Sequence, residues 1–502
     1  MSELDSALRD KVRLLGTLLG QTIQRDLGDD MLGLIETIRQ QSKNARAGDD
    51  SEKEKLLKQL TGLSDDELLP VVRGFNQFLN LANIADQQHS ISWCRSETVT
   101  AEADQMFVSL LDRLQAQELA EQNLAELIEN LNIELVLTAH PTEVSRRTLI
   151  QKYDEISRLL QQRDDMPKEH PARAGIKESL ALLIEEIWHT DEIRSTRPTA
   201  VDEARWGFAV VENSLWEAIP GYIRTLDAEL KKRDLNPLGL TAAPVKFSSW
   251  MGGDRDGNPN VTSAVTREVL YLARWMAADL FLRDIDTLAS HLSMSACSDE
   301  LKSAYPDAGK EPYRHVLGRL RNQLKQTCQW ATAQLQGHES EFQPLVNDED
   351  LIEPLALCHR SLVNQGLDVI ANGALLDTLR RAGCFGLSLV RLDVRQESTR
   401  HAQVMDEVCE YYGWPAFSTR TEEEKQAFLL QELQSRRPLI PKYWSPSDNV
   451  REVLDTVDVL ATEVGQGVSC YIISMASEPS DILSVALLLQ DAGVREHFPV
   501  VP

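Results

Sequence analysis

From Leu8 onward apolar side chains return every three or four residues, at Leu8, Val12, Leu15, Leu19 and Ile23. The pattern resumes at Met31, Leu34, Ile35 and Ile38 after a Gly28-Asp29-Asp30 turn. The spacing predicts that the chain opens as packed helices. Gly16 and Gly20 would let two helices approach closely, while Arg9, Lys11, Arg13 and Gln21 beside them exclude a membrane-dimer motif. Residues 40–55, 163–175 and 338–353 are polar stretches without periodicity, read as surface connections between helical blocks. No repeat of fixed period is present.

Against this helical background stand four short runs with strand character, 133–138, 245–250, 389–394 and 469–475. In the first, Ile133, Leu135 and Leu137 alternate with Glu134, Val136 and Thr138, so one face is expected to be apolar and the other mostly polar. The third places Val390, Leu392 and Val394 on one side and Arg391, Asp393 and Arg395 on the other. After the fourth come a cap around Ser480 and Asp481, an apolar helix, a Gly493 stop and a new strand in Phe498-Pro-Val-Val-Pro502.

Strands alternating with helices predict a parallel α/β arrangement with polar chemistry at strand C-termini. The expected fold is mostly α with a (β/α)8-type barrel. A barrel needs about eight strands, so only its first half is expected in this chain. The expected domains are an N-terminal helical region, 1–132, and the first half of an elaborated barrel with long helical insertions, 133–502, truncated inside the fifth strand.

The 502 residues leave room for roughly three domains or one heavily elaborated one. They carry 52 Lys+Arg against 78 Asp+Glu, a formal charge of −26. That balance opposes nucleic-acid binding, and it requires any site for a small anion to bring its own Arg or Lys cluster. The seven cysteines are scattered without a CxxC pair, which fits reduced thiols in a cytoplasmic protein better than a zinc ribbon or disulfide framework. No apolar run reaches membrane-spanning length and no signal peptide is read, so no membrane partner is expected.

Candidate chemistry gathers at the strand ends. The first run leads into the string LVLTAHPTEVSRRTL, where Pro141 and Thr142 suit a helix start. There His140 could serve as general acid or base, and helix amides with Arg146 and Arg147 would favour a phosphate or carboxylate. The second run ends in SSWMGGDRDGNPNVT, whose Gly, Asp and Asn demand tight turns or close backbone approach. A calcium loop fails there, because Pro259 stands where the loop needs glycine and Val265 where it needs glutamate. A plain turn remains open, with Arg255 as an anion donor and Trp250 as an apolar wall. The third run, VRLDVRQESTRH, offers Arg395 at its tip as a bidentate grip for an anion, with an Asp393 ion pair as the structural alternative. No phosphate-cradling P-loop, dinucleotide glycine fingerprint or serine elbow occurs.

These three strings resemble the signature blocks of the phosphoenolpyruvate carboxylase family. The likeness runs from SALRDKVRLLGTLLGQTI to YIISMASEPSDILSVALLL and is strongest to the bacterial branch. The resemblance implies a helical protein around an eight-stranded β/α barrel, a cytoplasmic homotetramer, and Mg- or Mn-assisted carboxylation of phosphoenolpyruvate by bicarbonate. The products would be oxaloacetate and phosphate, an anaplerotic supply to the tricarboxylic acid cycle. It implies that His140 is the catalytic histidine and that Arg395 grips the substrate phosphate, with Trp250, Arg255 and Asp256 lining the same region.

The family's metal-binding Glu and Asp, its catalytic lysine, its mobile loop and its aspartate or malate inhibitor site are expected beyond residue 502. No metal ligand is therefore expected in this chain, which alone should be inactive. Acetyl-CoA activation is a further family expectation, and the plant-type phosphorylation segment has no clear match. The rival readings are a noncatalytic helical scaffold that binds an anion or a partner, and a phosphotransferase barrel whose nucleotide site is not found.

Overall fold

The periodic start of the chain becomes a long helix, α1 (Glu3–Arg46), in a computed structural model that describes residues 3–94, 108–113, 126–138, 147–191, 198–256, 258–441, 443–463 and 467–502. The chain divides into two units, Met1–Arg113 with Thr142–Arg197, and Leu114–Pro141 with Pro198–Pro502. In the first, α1 is joined by α2 (Asp50–Thr61), α3 (Asp65–Cys94), α4 (Arg147–Asp164) and α5 (Ala172–Trp188). The expected turn at residues 28–30 is a kink within α1, made by Gly28 at φ 84°, a conformation that costs glycine little.

Leu15, Leu19, Ile23 and Ile38 sit in the core of this unit with Ile156, Leu160, Leu180 and Ile184. A Cβ on Gly16 would stand 3.1 Å from the Phe78 ring, so this glycine lets α1 and α3 close on each other. Residues 40–55 differ from the expected connection. Helix continues to Arg46, and after a short break the Asp49 carboxylate accepts from the Ser51 and Glu52 N–H groups to start α2. The stretch is rich in Gln, Lys, Glu and Arg, which sustain an exposed helix without an apolar stripe.

The second unit is built on a parallel sheet, β1 (Ile133–Leu137), β2 (Val245–Ser249), β3 (Arg391–Glu397), β4 (Val468–Ser474) and β5 (Val500–Val501), ordered in space as in sequence. Helices fill the crossovers, among them α6 (Trp216–Lys232), α7 (Ser263–His291), α8 (Pro312–Leu335), α9 (Asp348–Asn364), α10 (Leu376–Phe385), α11 (Ser398–Tyr411) and α12 (Pro479–Asp491). The chain is thus mostly helical with a small parallel sheet, an α/β arrangement. Phe247 on β2 stacks on Phe385, and Phe385 on Trp216, tying the sheet to α6 and α10.

β3 begins two residues later than expected, because a tight turn at Gly386–Ser388 and Leu389 at φ 61° occupy its first positions. β1 departs further from expectation. Instead of one buried apolar face, Ile133, Leu135 and Val136 are all exposed, Leu135 by 50%. Among the described residues β1 pairs with β2 alone, in register Ile133↔Val245 to Leu137↔Ser249, and forms the sheet edge. α12 starts ahead of the expected Ser480–Asp481 cap: Glu478 is its N-cap, and Asp481, already inside the first turn, accepts from the Ser477 and Glu478 N–H groups. No helix among the described residues is long and apolar enough to cross a membrane.

Candidate functional site at the tips of β2 and β3

β2 gives way at Trp250, whose N–H still bonds Leu137 O of β1 at 3.2 Å. The chain then turns tightly, with Gly253 N and Asp254 N both donating to Trp250 O. The turn lies directly against β3. Arg395 N donates to Gly253 O at 2.9 Å, and Arg255 N to Arg395 O at 3.0 Å. Glycine at 253 is a steric requirement, since a Cβ there would fall 2.1 Å from Asp393 O.

Arg255 braces the turn from inside. It is only 8% exposed, and its guanidinium donates to Gly253 O at 3.0 Å and to the Thr266 hydroxyl at 2.6 Å. That hydroxyl in turn donates to Gly252 O at 2.7 Å, joining the turn to α7. Burial lowers the Arg255 pKa, with the nearby carboxylates of Glu452 and Asp254 opposing.

Arg395 stands at the outer side of this turn, half-buried. Its Nη2 donates to Asp256 Oδ2 at 2.7 Å, its Nη1 lies 3.6 Å from Asp254 Oδ2, and its Cζ sits 5.5 Å from the Trp250 ring centroid. The alternative of an ion pair with Asp393 is not what forms among the described residues, where these two carboxylates take its place. Asp393 itself accepts from Trp250 Nε1 at 2.9 Å, with Ser248 Oγ and Cys470 Sγ each 3.5 Å from its oxygens. Burial pushes the Asp393 carboxyl up, against hydrogen bonds from Cys470, Ser469 and Trp250 that lower it. Burial also pushes the Cys470 thiol up to about 12.

Beside this cluster opens a cavity of about 220 Å³, lined by Thr138, Glu203, Trp250, Gly252, Asp254 and Asp256 among others. In the core, Tyr471 Oη lies 2.8 Å from His401 Nε2. The structure therefore brings together Trp250, Arg255, Asp256 and Arg395 of the residues singled out from the sequence. His140 and Arg146 lie outside the described residues, and Arg147 opens α4 in the first unit. Asp254 and the positioning of Asp393 were not read as parts of the site. The signal was present in β3, where alternation puts Asp393 and Arg395 on one face.

Chemically, the arrangement offers a guanidinium beside an aromatic wall at a strand tip, where an anion would have to displace Asp254 and Asp256 from Arg395. It does not suit a divalent cation. Asp254 and Asp256 are engaged with Arg395, and among the described residues no three His, Cys, Asp or Glu side chains cluster as ligands.

A family profile described as phosphoenolpyruvate carboxylase matches residues 8–502. Proteins named phosphoenolpyruvate carboxylase from Hahella chejuensis and Marinobacter nauticus are 53% and 52% identical over the whole of this chain, and one from Escherichia coli O81 is 49% identical. The chain spans 57% of the length of each of these relatives. With a family match spanning residues 8–502 and relatives about half identical over the whole chain, the chain belongs to the phosphoenolpyruvate carboxylase family.

Proposed function

We propose that this chain supplies the phosphate-gripping part of a phosphoenolpyruvate carboxylase, a carboxy-lyase joining phosphoenolpyruvate and bicarbonate to give oxaloacetate and phosphate. The observation that carries the reading is Arg395, presented at the tip of β3 beside Trp250 and held by carboxylates that a phosphate can outcompete. In the family's reaction, bicarbonate attacks the phosphoryl group, carboxyphosphate and the pyruvate enolate form, and carbon dioxide released from the first is captured by the second. Arg395 binds the substrate phosphate, and its fixed guanidinium meets the charge that moves onto the phosphoryl oxygens. His140 handles the proton of carboxyphosphate, and the Trp250 wall helps exclude water from the enolate.

Trp250 and Asp256 border the cavity, while Arg255 acts by holding the turn. Arg146 and Arg147 are assigned to the substrate through the string they share with His140. The order β1 to β5, all parallel, supports a β/α barrel of which these strands form an arc. Because the chain spans 57% of its relatives, the complete reaction, the homotetramer, the response to acetyl-CoA, aspartate or malate, and the Mg or Mn site are proposed for a polypeptide of their full length.

The test is oxaloacetate formation dependent on phosphoenolpyruvate and bicarbonate, coupled to malate dehydrogenase. A full-length polypeptide containing this chain should be active, and His140→Ala and Arg395→Ala should each lose at least about 100-fold in kcat/KM. Absence of oxaloacetate from the unaltered full-length polypeptide would defeat the reading in favour of a noncatalytic anion-binding scaffold.

A further inference from the structure

Asp393 is a costly residue where it stands. It lies on β3, is 4% exposed, and among the described residues no Lys or Arg pairs with it. A buried carboxyl with neutral partners opposes folding unless its hydrogen bonds repay the lost hydration. One of those bonds comes from the indole of Trp250, 2.9 Å from Nε1 to Oδ2. The same indole turns its face to Arg395, 5.5 Å from ring centroid to Cζ, and forms part of the wall of the 220 Å³ cavity.

A tryptophan side chain has two rotatable bonds. Fixing the N–H end of the ring at Asp393 fixes where its face points. Two residues on one face of one strand are thus linked through a third residue on the neighbouring strand's tip. The main chain makes the same junction, because Asp393 O abuts Gly253 while Arg395 exchanges hydrogen bonds with Gly253 and Arg255.

We infer that Asp393 is a positioning residue for the anion site: through the Trp250 indole it aims the aromatic face at Arg395, holds the cavity wall, and thereby sets affinity for the phosphorylated substrate. This rests on the phosphoenolpyruvate reading above. Asp393 does not touch the substrate. Its effect passes through Trp250, so removing either end of the Trp250–Asp393 hydrogen bond should have the same consequence.

The experiment is a double-mutant cycle in a full-length polypeptide containing this chain, with KM and kcat for phosphoenolpyruvate measured for Asp393→Ala, Asp393→Asn, Trp250→Phe and the Asp393→Ala/Trp250→Phe pair. Asp393→Ala should raise KM about tenfold, the scale of one lost hydrogen bond to a charged group, and lower kcat by much less. Trp250→Phe, which keeps a ring and loses the N–H, should do likewise. The double variant should be no worse than the poorer single one. Asp393→Asn retains an acceptor oxygen and should stay within about threefold of the unaltered protein. If Asp393→Ala does not fold, Trp250→Phe against Asp393→Asn decides: a roughly tenfold higher KM in the first and near-normal KM in the second is expected, and an unchanged KM in Trp250→Phe overturns the positioning role.

An unchanged KM in Asp393→Ala, or losses that multiply in the double variant, would overturn the positioning role while leaving the carboxylase reading intact. A full-length polypeptide that makes no oxaloacetate would bring down both.

Discussion

Adding one methyl group at Gly253 puts the junction of β2 and β3 under a defined load. The new Cβ would lie 2.1 Å from Asp393 O and 3.0 Å from Leu392 Cγ, where ordinary contact begins at 3.4 Å. The turn at 253–256 must therefore retreat by more than about 1 Å, the gap between those contact distances. That movement carries Gly253 O beyond reach of Arg395 N, now 2.9 Å away, and Arg255 N beyond Arg395 O, now 3.0 Å away. Two lost hydrogen bonds at ~0.5–1.5 kcal/mol each, with overpacking of ~1–3 kcal/mol, give a destabilisation of ~2–6 kcal/mol.

Gly318→Ala in α8 is the control, since a Cβ there meets nothing within 4 Å. It should stabilise by ~0.5–1 kcal/mol. Urea denaturation followed by circular dichroism measures both. Hydrogen exchange of the peptides covering 250–256 and 391–397 reads the loss locally. A Gly253→Ala protein with an unshifted midpoint and full protection of Arg255 N and Arg395 N would refute the close-approach argument.

Acid should weaken the second unit through His401. Burial holds its pKa down at about 3, against an ordinary value of 6.5. The unfolded chain therefore binds a proton that the folded one excludes, and stability is lost as pH falls from about 6.5 toward 3, at up to ~1.4 kcal/mol per pH unit. Replacing His401 with Phe should flatten that slope in denaturation midpoints taken across the range. Cys358 and Cys384, both pushed up to about 12 by burial, should resist iodoacetamide at pH 8 until the chain is unfolded, as mass spectrometry of tryptic peptides would show. Arg380, fully buried against Asp227, should cost ~3–5 kcal/mol when changed to Ala. Arg360, which bridges Glu300 and Glu353 at the surface, should cost under ~1 kcal/mol in the same urea titration.

The residues that announced their structure most clearly were those whose periodicity and packing agree. Leu15, Leu19 and Ile23 recur at helical spacing and are buried together, and Val394 alternates with Arg395 along β3 as its pattern required. Local pattern failed where a partner elsewhere decides the outcome. The Asp49 cap that starts α2 was hidden in a uniformly polar stretch. The exposure of β1 depends on which strands flank it, which its alternation of apolar residues cannot encode.

For the site, Arg395 and Trp250 were legible because strand tips carry chemistry and their residue types suit anions. The fate of Asp393 was not. Its choice of the Trp250 indole over an arginine rests on a contact between residues 143 positions apart, one that only the register of neighbouring strands creates.

The exposed edge at β1 also governs how this 502-residue chain behaves as a colloid. Among the described residues no strand pairs with its outer N–H and C=O groups, which form a template for another strand flanked by the exposed side chains of Ile133, Leu135 and Val136. Two such edges approaching in dilute buffer meet the repulsion between molecules of formal charge −26. Raising the salt from 0.1 M to 1 M shortens the reach of that repulsion from about 10 Å to about 3 Å. Light scattering should therefore show particles growing with ionic strength, the reverse of the behaviour of an assembly held by opposite charges.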